Sequence, residues 1–341
     1  MENNEERKKI FELFFDEEAK NFKTLDTGIG EEDFRETDIV ETVNGNKYVM
    51  KICSNSFTFP EKIEMWQRTI EEYRKLGYYC PRIINARNGG FPTVEYKGHR
   101  CQVYAEEFSV YKAIEDRMES DSKMAAKYED YEKAIWTMTA KVAAKQFDYT
   151  DYPSGYCLFD IFDQNDECDE VMENALEWKR YADTLSEKFR VQTDRIWKLW
   201  NDNRKALEKV YHELPTSVFQ ADLNATNLLI DDDYNFVGIY DFNLAGKDVF
   251  LNYLMRENFD EFEEEIELIF RALDIAKEFY TFSENEKKYA LMIYRCLKPL
   301  WFIKIETLKS LKDNEEEIKK YLDKTEHYLT CDIDFRSHME A

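Results

Sequence analysis

Apolar positions along this chain change their period near residue 108. Before it, alternating runs dominate. In ETDIVETVNGNKYVMKIC two β-rich stretches flank Asn44-Gly45, a dipeptide suited to a tight hairpin. In PTVEYKGHRCQVYAEEF two more flank Lys97-Gly98. Between them, the spacing of Ile63, Trp66, Ile70 and Tyr73 predicts an amphipathic helix from about Pro60 to Leu76, opened by proline and stopped by Gly77. Ahead of both units, Ile10, Leu13, Phe14 and Ala19 predict an opening helix from about Glu5 to Lys20.

After Phe108 the spacing becomes helical. Helices are predicted from Tyr128 to Gln146, from Asp169 to Leu214 with an internal break, and over most of the chain beyond Glu257. One stretch interrupts them. In SVFQADLNATNLLIDDDYNFVGIYDFN two short apolar runs, Leu228–Ile230 and Phe236–Tyr240, are joined by a turn rich in aspartate. The expected class is α+β: a small antiparallel β-rich lobe over 1–108, then a large, mainly helical lobe over 109–341 carrying one hairpin.

Composition narrows the function. Acidic residues outnumber basic ones 71 to 47, a formal net charge of −24. Such a surface repels phosphate backbones and anionic lipid, which speaks against nucleic-acid and membrane binding. It serves solubility and is compatible with a cationic ligand. The N-terminus, MENNEERKKIFELFF, is too charged for a signal peptide, and the greasiest stretch carries Arg295, Lys298 and Lys304. Seven cysteines without metal-ligand spacing read as reduced residues of a cytoplasmic protein.

The hairpin carries the chemistry. Asp222 precedes it, Asn227 follows five residues later, and Asp241 comes directly after the second run. Moving a phosphoryl group from ATP or GTP needs few protein groups, because positioning and charge neutralisation dominate. One carboxylate must meet the acceptor hydroxyl. A neutral oxygen and a second carboxylate must hold Mg2+ against the nucleotide phosphates. A loop from Asp222 to Asn227, with a hairpin returning to Asp241, gathers all three at one end.

QADLNATN followed by IYDFN resembles the catalytic loop and metal-binding motif of the aminoglycoside phosphotransferase and choline kinase family, which has a two-lobed, protein-kinase-like fold. The resemblance implies Asp222 as catalytic base, with Asn227 and Asp241 as magnesium ligands. KYVMKI resembles the strand bearing the phosphate-binding lysine, here Lys51, and VYAEEF resembles the hinge, whose backbone near Glu106 and Phe108 would meet adenine. YPSGYCLF resembles the start of the family's helical lobe, so the likeness runs over roughly residues 20 to 255.

Three features depart from the family pattern. Gln220 stands where the loop usually opens with histidine, a residue that braces the loop; glutamine can brace it too. The phosphate loop is poor in glycine, with Gly28 and Gly30 as its candidates. The acidic partner of Lys51 is expected on the helix after it, at Glu64. The implied activity is a Mg2+-dependent small-molecule kinase using ATP or GTP, with an acceptor such as an aminoglycoside, choline or another amino alcohol. The competing readings are a weakly catalytic or non-catalytic nucleotide-binding module and a protein nucleotidyltransferase.

Overall fold

Alternation in the first hundred residues builds one antiparallel sheet. The computed structural model describes residues 2–28, 33–115, 127–257 and 265–340. Strands β1 (Ala19–Asp26), β2 (Phe34–Thr42), β3 (Lys47–Ser54) and β6 (His99–Glu107) pair in that order, and β4 (Ile83–Ile84) and β5 (Thr93–Tyr96) both pair with β6. The β5–β6 turn places both Lys97 and Gly98 at positive φ, the geometry that matches strand twist in a two-residue hairpin. At the β2–β3 turn only Gly45 takes positive φ, and Thr42 brackets a longer loop by bonding to Asn46.

Helix α1 (Glu2–Phe11) covers one face of this sheet. Its Ile10 and Phe11, with Phe14, pack on Val40, Met50, Ile52, Val103 and Ala105. Charge is buried on this face too: Arg7 pairs with Glu36 and Asp38, each at 3.1 Å, and the Tyr96 hydroxyl donates to Glu36 at 2.9 Å. The opening helix is thus shorter than expected, and Ala19 belongs to a strand instead. After Phe11 the chain turns so that the Phe15 ring stacks on Tyr48 at 3.9 Å, and the sheet then captures residues 19–26 as an edge strand.

Because side chains alternate along a strand, Lys51 in β3 and Tyr104 and Glu106 in β6 point to the opposite face. That face meets helix α2 (Pro60–Lys75), whose stripe of Ile63, Trp66, Ile70 and Tyr73 is fully buried as expected. Burying four such side chains contributes roughly 6–12 kcal/mol of transfer free energy before entropy is counted. Gly77, at φ 94°, ends the helix where other residues would be strained.

A second small sheet, ordered β10 (Phe236–Ile239), β9 (Leu228–Ile230), β7 (Lys112–Ala113), forms the expected hairpin. It docks on Tyr79: the Tyr79 amide donates to the Val237 carbonyl at 2.9 Å, and the Ile239 amide donates to the Tyr79 carbonyl at 3.0 Å. The approach needs Gly238, where any Cβ would lie 2.6 Å from the Tyr79 carbonyl carbon. The first compact unit accordingly runs past residue 108, comprising 1–128, 163–165 and 220–246.

The second unit comprises 129–162, 166–219 and 247–341. It contains α3 (Tyr128–Lys145), α4 (Glu170–Ala182), α5 (Arg190–Tyr211), a short ladder of β8 (Thr216–Phe219) with β11 (Gly246–Val249), and α6 (Phe250–Glu257). It continues with α7 (Glu265–Ala276), α8 (Glu284–Leu297), α9 (Phe302–Ser310), α10 (Glu315–Thr330) and α11 (Phe335–Met339). Side chains mark the helix starts: Asp169 caps α4, and Ser283 with Glu286 forms a reciprocal capping box on α8. Trp178, Trp200, Tyr253 and Tyr294 are fully buried here. The described residues include no helix long and apolar enough to cross a membrane, and all seven cysteines are unpaired.

Candidate active site

The loop before β9 is organised around one buried amide. Gln220 is inaccessible to solvent, and its Nε2 donates to the carbonyls of Tyr240 at 3.1 Å and Asp241 at 2.8 Å. Its Oε1 accepts from the Asp222 amide at 2.7 Å. Three backbone groups of two separate segments are thereby satisfied by a single side chain, which fixes where Asp222 and Asp241 start. Both segments bend through unusual backbone: Ala221 has φ 77° and Asp241 φ 57°, left-handed values that cost a residue bearing Cβ on the order of 1–2 kcal/mol.

Asp222 and Asn227 are joined directly. The Asn227 Nδ2 donates to the Asp222 Oδ2 at 3.0 Å and to its carbonyl at 3.2 Å. Asn224 Nδ2 donates to the other carboxylate oxygen at 2.8 Å. The Tyr240 amide donates to the Asn227 carbonyl at 3.1 Å, which ties Asn227 to the residue before Asp241.

Lys51 arrives from the sheet. Its Nζ lies 2.8 Å from Asp241 Oδ1 and 3.4 Å from Glu106 Oε1, with the Tyr104 ring 5.8 Å away. Burial works against the ammonium charge, but Asp241, Glu106 and Tyr104 outweigh it and hold Lys51 well above the usual lysine range. Neighbouring Cys53 is the reverse case: burial pushes its thiol up to about 12, leaving it inert.

The expected pairing of Glu64 with Lys51 is not formed. Glu64 sits on the exposed side of α2, because the helix turns Ile63, Trp66 and Ile70 inward and Trp66 packs on Tyr104 at 5.9 Å. Glu106, expected to offer its backbone to adenine, also brings its side chain to Lys51. Phe108 lies half-buried just beyond the end of β6. In the β1–β2 turn Gly28 is tightly placed, since a Cβ there would overlap the Asp33 carbonyl; Gly30 lies outside the described residues.

The donor set suits a hard divalent cation. With the Asn227 Nδ2 engaged by Asp222, its Oδ1, which accepts a long bond from the Thr226 hydroxyl at 3.4 Å, keeps a second lone pair, and the half-buried Asp241 contributes carboxylate oxygens. Among the described residues no cluster of three or more His, Cys, Asp or Glu is arranged to hold a metal.

The model of the phosphotransferase enzyme family matches residues 31–252, about two thirds of the chain. The chain belongs to that family. Solved structures agree on the fold of this phosphotransferase family member. A microcompartment-associated aminopropanol kinase aligns at TM-score 0.55 and 14% identity, covering 91% of this chain and 90% of its own. An amicoumacin kinase in complex with AMP-PNP and Ca2+ aligns at TM-score 0.56 and 13% identity, covering 95% and 93%. No curated protein shows a significant match. The α+β, kinase-like architecture read from the sequence is the one observed.

Two features of this family member escaped the sequence. The Glu106 side chain had a signal: counting back by two from Glu106 along VYAEEF reaches Tyr104, so both share a face of the strand that runs beside Lys51. The left-handed backbone at Ala221 had none, because alanine does not favour it; aspartate is enriched in that region, but most aspartates lie outside it, so Asp241 alone was not enough of a signal.

Proposed function

We propose that this protein transfers the γ-phosphate of ATP or GTP to a hydroxyl or amine of a small, cationic acceptor in the cytoplasm. The observation that carries the reading is the gathering of Asp222, Asn227, Asp241 and Lys51 at one hairpin end, where Gln220 ties Asp222 to Asp241, Asn227 bonds Asp222 and Lys51 bonds Asp241. Asp222 would accept a hydrogen bond from the acceptor hydroxyl and take its proton as that oxygen attacks the γ-phosphorus and the nucleoside diphosphate oxygen leaves. Lys51 would neutralise the nucleotide phosphates. Asn227 and Asp241 would hold Mg2+, which when bound offsets charge on the β- and γ-phosphate oxygens. Phe108 would border the adenine. The net charge of −24 supports a cation such as an aminoglycoside, choline or another amino alcohol.

A panel of such acceptors, assayed for released products with Mg2+ and ATP, tests this directly. The expected result is ADP, formed only with an acceptor present. Pyrophosphate release would indicate nucleotidyl transfer instead. Nucleotide binding with no product across the panel would favour the non-catalytic module. No stabilisation by nucleotide, with or without Mg2+, would overturn the reading.

A further inference from the structure

We infer that Glu106 is the positioning carboxylate of Lys51, so that the sheet, and not helix α2, holds the phosphate-binding lysine; this rests on the phosphotransferase reading of the site. Lys51 and Glu106 stand on neighbouring strands and one face, 3.4 Å apart, with side chains only 12% and 11% exposed. The other carboxylate on Lys51, Asp241, is 31% exposed and is the one proposed for the metal. Once Asp241 turns to a metal–nucleotide complex, Glu106 is what keeps the lysine aimed.

Helix α2 has no carboxylate to offer. Glu61 and Glu64 are exposed, Glu71 pairs with Arg82 at 2.7 Å, and Glu72 pairs with Lys75 at 2.8 Å. Trp66 fills the inward position instead. The helix is fixed by other means, since Gln67 Nε2 donates to the Ile83 carbonyl at 2.9 Å and to Asn85 at 2.7 Å. Two strands of one sheet cannot slide past each other without breaking their ladder, so the lysine geometry is set by the register itself.

The test compares binding of Mg-ATP and of adenosine to the full chain, by calorimetry, in wild type, E106Q, K51M, the E106Q/K51M double variant and E64Q. Glu106→Gln should weaken Mg-ATP by about tenfold or more while adenosine stays within about twofold, because only the phosphates meet Lys51. In the Lys51→Met background the same change should add nothing, and Glu64→Gln should match wild type. Should E106Q melt early, E106D, which keeps the charge but withdraws it by one methylene, is expected to show the same selective loss. The inference is overturned if E106Q binds Mg-ATP like wild type. It also fails if ATP and adenosine weaken equally, which would assign Glu106 to the adenine edge, or if the effect persists without Lys51. Wild type that binds no Mg-ATP would instead overturn the phosphotransferase reading.

Discussion

The side-chain amide of Gln220 donates to the carbonyl of Asp241 at 2.8 Å, and that bond makes the start of one segment depend on the other. Neutral histidine has one donor and one acceptor, so it can satisfy at most two of the three backbone groups that Gln220 satisfies. Gln220→His should cost about 1 kcal/mol of stability and leave turnover within about tenfold of wild type. Gln220→Leu loses all three bonds and should cost about 3 kcal/mol or more, with a clear drop in kcat. Melting curves and steady-state kinetics on both variants decide; Gln220→Leu as stable and active as wild type would show that the amide carries no weight.

Asp222 and Asp241 should fail differently. Asp241→Asn removes a negative charge from the proposed divalent site, and stabilisation by Mg-nucleotide should fall together with turnover. Asp222→Asn keeps shape and should leave Mg-nucleotide binding nearly intact while kcat drops by about 10²–10⁴. Magnesium titrations followed by thermal shift, beside kinetics, separate the two. Equal loss of nucleotide binding in both variants would refute this division, and full activity in Asp222→Asn would remove it from catalysis.

Lys298, in the helical unit, gives a pH signature unrelated to catalysis. Its Nζ lies 3.4 Å from the Arg256 carbonyl, and burial pushes the ammonium down to about 7 from the ordinary 10.5. Between these values the unfolded chain binds the proton and the folded chain does not, so stability rises with pH through this window. The contribution is complete above the unfolded value, is lost as pH falls to about 7, and is flat below. Its full span is on the order of 5 kcal/mol. Lys298→Met should be more stable than wild type at pH 7 and should show a shallower rise from pH 7 to 10 in denaturant melts. Parallel profiles would mean that Lys298 is charged in the fold.

Much of this was legible because the relevant residues obey local rules. The stripe of Ile63, Trp66, Ile70 and Tyr73 announces α2 and the face it buries. The apolar runs either side of residues 231–235 announce β9 and β10, and through them the spacing of Asp222, Asn227 and Asp241. What was not legible depends on tertiary capture. AKNFKTLD carries almost no alternation because β1 is an edge strand, largely exposed. Leu13 and Ala19 fit a helical period, yet the sheet outcompetes helix extension. Glu64 fits a family expectation about helix α2, but the phase of the helix is set by Trp66, and Glu64 follows it outward.

Gly238 narrows the alphabet at its position to a single letter. The Tyr79 backbone fills the space where any side chain would begin, and no rotamer can relieve a clash made at Cβ. In a saturation library selected for folded protein, this column should hold glycine alone, while the neighbouring turn at Asp232 and Asp233 tolerates many residues. The hairpin that delivers Asp222 and Asp241 is thus secured by an atom that is missing.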